Sequence, residues 1–275
     1  MSEPDWRDAN RAKWDERVGV HLGPGGYRLA DLETGAGRLD PIAQAELPPV
    51  DGKRVLHLQC HFGADSLRLA QQGAEIVGLD FSGAAVAAAR DLAAKLGLAG
   101  SARFVEADLY QAPAAVPLPH GFDVVFVTWG TIAWLPDVRR WATIIADMLR
   151  PGGVFYFAEG HPTAFVFDDS TATSDGTPGF FLPYFTTAQQ VYDEATDYAD
   201  PDARLVNTRS YEWQHTIGAV LTALRDAGLT LDWFHEHDAV PWRMFQCLVC
   251  GEDRLWRWPD NPWLPLAYSL LATKP

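Results

Sequence analysis

Two aspartates and a turn of unusual composition are the residues best placed to do chemistry. The stretch "VLHLQCHFGADS", residues 55–66, reads as a strand running into a ligand-binding turn and then a helix. Asp80 closes the next apolar run, "AEIVGLDFS", and Asp108 closes "ARFVEADLY". A carboxylate at the end of the second strand of such a fold accepts both hydroxyls of a ribose. One at the end of the third strand can take a hydrogen bond from an exocyclic amine such as that of adenine. These strand ends suit a nucleoside. A dinucleotide would also need G-x-G-x-x-G, so that its pyrophosphate meets backbone amides. Here Gln59 and His61 occupy two of the close-approach positions and only Gly63 remains. Side chains there obstruct a pyrophosphate but tolerate an amino-acid tail, which favours S-adenosylmethionine over a nicotinamide dinucleotide.

The elements that must position these residues follow from periodicity. "KRVLHLQC", "AEIVGLDFS", "ARFVEADLY", "FDVVFVTWG" and "VFYFAEG" read as strands. "ADSLRLAQQG", "GAAVAAARDLAAKLG" and "VRRWATIIADMLRPGG" read as helices between them, the last stopped by Pro-Gly-Gly. Strands alternating with helices give βαβ units and a parallel sheet. The runs "VVFV" and "VFYFA" are apolar throughout, as strands buried on both faces are. Residues 5–18 form an amphipathic helix through Trp6, Ala9, Lys13, Trp14 and Val18, followed by a glycine-rich loop or arm. Residues 161–203 break the rhythm and read as an insertion beside the site. A strand "RLVNTRSYEW", a helix "TIGAVLTALRDAG" and strands "LTLDWFHEHD" and "AYSLLATK" complete the chain.

Bulk properties narrow the partners. The 275 residues suit one large domain with an insertion, and a net charge of −14 disfavours nucleic acid and anionic membranes. Three cysteines make no disulfide framework, and neither a signal pattern nor a membrane-length apolar run is visible, so a reducing cytoplasm is expected. Cys247 and Cys250 form a lone C-x-x-C, short of a zinc site. His235 and His237 share one face of a strand but have no third ligand, so no metal is expected.

In order and spacing, "VLHLQCHFG", "VGLDFS", "FVEADLY", "FDVVFVTWGTIAWLPD" and "LRPGGVFYF" resemble the motifs of class I S-adenosylmethionine-dependent methyltransferases. The first motif is similar to that of a bacterial small-molecule subgroup reading H-L-Q-C-H-x-G. The resemblance covers roughly residues 50–160 and implies an α/β, Rossmann-like, doubly wound fold. Its sheet would be seven-stranded and mostly parallel with an antiparallel last strand, with an N-terminal helical arm and a cap insertion. Residues 1–48 would be helix and lid arm. Residues 49–275 would be the methyltransferase domain, with the cap at about 161–213.

The resemblance also implies site roles. Gly63 would lie under the methionine tail, Asp80 on the ribose, Phe81 beside the adenine, and Asp108 on the adenine amine with Leu109 supplying an amide. Thr128 and Trp129 would flank the sulfonium. Gln59 and His61, which depart from the family's glycines, are expected to hydrogen-bond the methionine carboxylate. His57 replaces the motif's acid and reads as a core or supporting histidine. Trp14 and Tyr27 of the arm would close over the cofactor.

Transfer of a methyl group is an in-line displacement that needs a base only if the acceptor must lose a proton. Glu159 and His161, in "AEGHP", are the candidate catalytic groups. Trp129, Tyr211, Trp213 and His215 are the candidate acceptor contacts. The expected activity is transfer to an O or N atom of a small molecule, leaving S-adenosylhomocysteine. A cofactor-binding scaffold without turnover and a nicotinamide-dependent oxidoreductase remain as alternatives, and oligomeric state is open.

Overall fold

The computed structural model describes residues 5–27, 29–116 and 120–275. Its centre is one seven-stranded sheet: β1 (Arg54–Leu58), β2 (Glu75–Asp80), β3 (Ala102–Glu106), β4 (Phe122–Thr128), β5 (Leu149–Gly160), β6 (Thr230–His237) and β7 (Ala267–Thr273). The spatial order is β3-β2-β1-β4-β5-β7-β6. β1 to β5 run parallel, and β7 runs antiparallel to both β5 and β6. The antiparallel last strand expected from sequence is therefore present, inserted between β5 and β6. Strand order reverses between β1 and β4, where open α/β sheets bind ligands.

The core follows from alternation along the strands. Leu56, Leu58, Val125, Val127, Phe155 and Phe157 pack on one face against Trp141, Ile144 and Ile145 of α4 (Val138–Met148) and Val220 and Leu224 of α5 (Ile217–Asp226). Val55, Val124, Phe126 and Tyr156 pack on the other against Leu67 of α2 (Ala64–Gln71) and Val86 and Ala89 of α3 (Gly83–Lys95). Side-chain caps start three of these helices, with Thr216 accepting from Ala219 N at α5. Ser82 accepts from Ala85 N at α3, and Asp137 accepts from Arg139 N and Arg140 N at α4.

Three expectations are revised. The helix before "LRPGG" ends at Met148, and β5 begins at Leu149, so Pro151–Gly153 lie in an irregular start of the strand. The strand expected over 204–213 shrinks to Arg209–Glu212 and pairs with Gln190–Asp193 outside the main sheet. Residue 48 is not a packing boundary, because Leu32, Leu39 and Ala43 share a core cluster with Val50 and Val55.

The first helix, α1 (Trp6–His21), buries a polar face rather than an apolar one: Asn10, Lys13, Arg17 and His21, with Val18 beside them. The Asn10 amide bonds both backbone groups of Tyr211 at 2.8 Å, as a neighbouring strand would. Lys13 Nζ donates to Thr208 O at 3.0 Å and to Ser210 Oγ at 3.1 Å. Glu16 accepts from the amides of Val206 and Asn207. α1 and the insertion are thus one polar-bonded cap. Among the described residues no helix is long and apolar enough to cross a membrane.

Beneath the cap, β1 and β2 meet the turn of residues 59–63 under Phe104. A Cβ at Gly78 would lie 2.6 Å from Phe104 Cδ1 and 2.8 Å from Cys60 Sγ. Gly78→Ala should therefore cost about 1–3 kcal/mol of stability through overpacking, read as a lower urea midpoint. Adding Phe104→Leu should recover part of that loss. A double variant no more stable than the single one would show that the clash is not with Phe104.

Candidate active site

The turn after β1 keeps the backbone that glycines would have supplied. Gln59 and His61 have φ of 55° and 51°, and Gly63 has φ of 76°. Trp129, at the end of β4, has φ of 54°. A non-glycine residue in this left-handed region costs about 1–2 kcal/mol, and such residues persist where their surroundings over-determine them. Three of the four non-glycine examples among the described residues line one cavity of about 190 Å³ at the carboxyl ends of β1, β2 and β4.

That cavity brings together Trp14, Tyr27, Gln59, His61, Gly63, Asp80, Phe81, Thr128 and Trp129 of the residues singled out from sequence. His57 also reaches it, buried with its Nδ1 2.8 Å from Ser66 Oγ, and burial pushes its pKa down to about 3. Phe62, Asp65, Thr131, Trp134 and Tyr198 add to the aromatic and polar lining.

The Asp80 carboxylate ties the floor together. Its Oδ2 accepts from His61 N at 2.8 Å and its Oδ1 from Ser82 N at 2.9 Å. Burial pushes its pKa up to about 6 against these two amide bonds. Gln59 Nε2 donates to Thr131 O at 2.8 Å, which leaves the amide oxygen, Oε1, as its free end. That oxygen is buried and has no protein partner. Gln59, which lines the cavity, thus carries a buried acceptor with no protein donor.

His61 is held from the roof. Its Nε2 lies 2.7 Å from His21 Nδ1, and His21 Nε2 lies 3.1 Å and 3.2 Å from the two oxygens of Asp197. Arg17 Nε stands 3.2 Å from the same carboxylate. Burial opposes the Asp197 charge, but the bonds from His21 and Ala199 and the Arg17 charge hold its pKa below the usual range. His61 Nδ1 is buried without a protein partner. Desolvation, helped by the nearby His21 and Arg17, pushes the His61 pKa down to about 3, so the ring is uncharged. Trp14 meets His61 and Trp134 edge-on with centroids 5.2 Å from each, and Tyr27 and Tyr198 join hydroxyls at 2.8 Å over the mouth.

The other expected site residues lie outside this cavity. Asp108 caps Tyr110 N at 2.7 Å and pairs with Arg7 Nε at 3.1 Å, while Leu109 is in the core. Glu159 is buried with its carboxylate spent on the amides of Gly130, Thr131, Ile132 and Gly160 and on Thr131 Oγ1. It shapes the loop that carries Trp129 and Trp134 rather than facing a ligand. His161 is buried between Thr163 and Glu236, and burial lowers its pKa. Tyr211 is bound to Asn10, Trp213 packs edge-on against Trp6, and His215 donates through Nε2 to Leu135 O. His235 and His237 flank Glu46, and the described residues contain no cluster able to hold a metal.

Sequence reading missed Asp197 and the link from His21 to His61. The spacing Asn10, Lys13, Arg17, His21 was the available signal, since it puts four polar residues on one helix face. Asp197 lies in the polar insertion and carried no pattern.

A Rossmann-like sheet in this strand order, with its cavity at the switch point and an acid closing β2, defines the fold of the S-adenosylmethionine-dependent methyltransferases. Residues 55–153 match the family described as "Methyltransferase domain". The chain is 30% identical over 118 residues to a ubiquinone biosynthesis O-methyltransferase of Stutzerimonas stutzeri, covering 42% of this chain and 49% of that protein. It is 43% identical over 65 residues to a 23S rRNA (uracil(1939)-C(5))-methyltransferase of Nitrosospira multiformis, covering 24% of this chain and 15% of that one. It thus spans less than half the length of either relative. The crystal structure of an S-adenosylmethionine-dependent methyltransferase from Mesorhizobium loti superposes with a TM-score of 0.58 at 22% identity, covering 85% of this chain and 96% of that one.

Because five donors converge on Glu159, Glu159→Gln should turn an amide NH2 toward them and destabilise the fold by roughly 2–3 kcal/mol. Thermal unfolding checks this, and an unchanged midpoint would mean that the loop does not depend on the charge.

Proposed function

We propose that the protein is an S-adenosylmethionine-dependent methyltransferase acting on an O or N atom of a small molecule. The observation that carries the reading is the cavity at the switch point, whose floor has two buried polar atoms without protein partners, Gln59 Oε1 and His61 Nδ1, and no glycine-lined bed for a pyrophosphate. The bound cofactor supplies an electrophilic methyl group on a sulfonium. The protein's part is to hold, orient and exclude water.

Asp80 accepts the ribose hydroxyls while it pins the turn through His61 N. Phe81 flanks the adenine. Asp108 reaches the adenine amine only by exchanging its Arg7 partner. Thr128, Trp129, Thr131 and Trp134 shape the end where the acceptor meets the methyl group, under Trp14, Tyr27 and Tyr198. Orientation in this enclosed space supplies much of the rate, since a near-attack geometry replaces a bimolecular search. No base is assigned to Glu159 or His161, which lie outside the cavity, Glu159 bonded to loop amides and His161 set between Thr163 and Glu236. The small-molecule reading is supported by the aromatic roof, by the net charge of −14, which repels RNA, and by the likeness to an O-methyltransferase of ubiquinone biosynthesis. α1, with Trp14, and Tyr27 after it act as part of the lid, and the insertion at about 161–213 as the cap.

Calorimetric titration should show binding of S-adenosylmethionine and S-adenosylhomocysteine and none of NADH. Labelled methyl groups should then pass to components of a quinol, phenol and amine pool. Tight NADH binding without S-adenosylmethionine binding would overturn the reading, and binding without product from a broad pool would favour a scaffold.

Asp80 sets a pH dependence. Its pKa is raised to about 6 in the free protein, and ribose hydroxyls donate to the charged form. Binding therefore releases a proton below that value, and affinity rises as pH rises through about 6. Asp80→Asn should weaken S-adenosylhomocysteine by about 1.5–3 kcal/mol at neutral pH and flatten the profile. Titrations between pH 5 and pH 8, in about half-unit steps, check both.

A further inference from the structure

We infer that Asp40 is a positioning residue for methyl transfer: its carboxylate fixes the indole of Trp129 as the wall against which the acceptor is set. This rests on the proposed transfer at that end of the cavity.

Trp129 lines the cavity and Asp40 does not. The two are 89 residues apart in the chain, yet the indole Nε1 donates to Asp40 Oδ2 at 2.7 Å. The other oxygen, Oδ1, accepts from Ile42 N at 3.0 Å and Ala43 N at 3.1 Å, and so caps the short helix Pro41–Glu46. Capping accounts for Oδ1 alone. Asn and Ser cap a helix as well as Asp does, and desolvation pushes the Asp40 carboxyl up to about 6, which a neutral cap would avoid. Two acceptors are needed here, one for the helix amides and one for the indole. A carboxylate has both, whereas a side-chain amide presents NH2 on its second side.

The anchor belongs to the core rather than to the cap. Leu39 and Ala43, on either side of Asp40, share a core cluster with Val50 and Val55. Ile42 shares another with Ala239 and Leu255, on which Trp129 also packs. Trp242 meets the Trp129 ring edge-on with centroids 5.6 Å apart. The backbone of Trp129 is fixed separately: its N donates to Ala158 O at 2.9 Å, and Glu159 takes the amides of Gly130 and Thr131 in the loop that follows. One carboxylate thus holds the loop and another holds the ring. Trp14 and Tyr198 of the roof belong to α1 and the insertion, so Trp129 is the wall whose place does not depend on the cap. An indole released from Oδ2 can turn about its side-chain bonds, and a misplacement of about 1 Å at the reacting atoms costs about 100-fold in rate.

Asp40→Asn leaves one oxygen, which the two helix amides hold, and faces the indole with NH2. Proton–nitrogen NMR of the indole groups, with the Trp129 signal assigned by its loss in Trp129→Phe, reads the contact directly. In Asp40→Asn that signal should shift and its hydrogen should exchange about tenfold faster or more. With an acceptor from the quinol, phenol and amine pool, kcat should fall by about 10- to 100-fold, while affinity for S-adenosylhomocysteine stays within about twofold. Trp129→Phe should lower kcat as well, and the double variant should be no slower than Trp129→Phe alone, because Asp40 acts through the ring. Asp40→Ser, which also caps the helix and lacks the second acceptor, should reproduce each result. Additive losses in the double variant, an unchanged kcat in Asp40→Asn, or an indole signal left as in the wild-type protein overturn the inference and leave the methyltransferase reading standing. If the wild-type protein methylates no acceptor, the transfer reading and the inference fall together.

Discussion

The Asp80 carboxylate is the contact on which the rest of the site depends. It accepts from the turn after β1 and from the turn after β2, so two strand ends are fixed to one another through one buried group. The turn it fixes is strained, because Gln59 and His61 stand in backbone conformations that suit glycine. Each of these two residues is held by a partner from another element. Thr131 O takes the Gln59 amide, while His61 is gripped at its backbone by Asp80 and at its ring by His21. Remove the carboxylate, and the turn loses the bond that opposes its relaxation toward ordinary backbone. The cavity floor is therefore a consequence of one ion buried in a place that disfavours its charge.

The roof is built on a different principle. The sheet is joined by apolar packing and ladder bonds, whereas α1 meets the insertion through Asn10, Lys13, Glu16, Arg17 and His21. Hydrogen bonds exchanged for water on opening change the free energy by only about 0.5–1.5 kcal/mol each. An apolar seam of the same extent would lose about 25 cal/mol for every Å² it exposed. A polar seam also fixes register, since its donors and acceptors must meet within hydrogen-bond distance and angle. The cap thus separates at lower cost than the sheet it covers, yet returns to one position.

The division between what sequence revealed and what it hid follows this difference. The strands were legible because β4 and β5 are buried on both faces and read as unbroken apolar runs. The helices were legible as the segments alternating with those strands, the one over 138–148 also from the Pro-Gly-Gly that follows it. Asp80 was legible because a strand end and an acid coincide. The buried face of α1 was not, because hydropathy periodicity finds apolar faces and this one is polar. The position of Asp108 could be read but its Arg7 partner could not, since that pairing spans 101 residues. For Glu159 the residue type suggested chemistry, yet its partners are backbone amides of residues 130–132 and 160, whose arrangement no side-chain pattern announces.

The cavity's free ends and walls bear on the proposed chemistry in opposite ways. The Gln59 oxygen and the Asp80 carboxylate on the floor and the indoles of Trp14, Trp129 and Trp134 favour a ligand that carries positive charge. A sulfonium loses that charge as its methyl group leaves, so a wall that only attracts cations holds the reactant better than the transition state. Attraction of this kind lowers the concentration of cofactor needed without speeding transfer. The gain in rate must then come from geometry: rings locked edge-on to one another and a loop clamped through Glu159 leave the acceptor few orientations. On this account the strain stored at Trp129 and in the turn of residues 59–63 is useful because it makes the cavity rigid, and rigidity is what an in-line displacement requires.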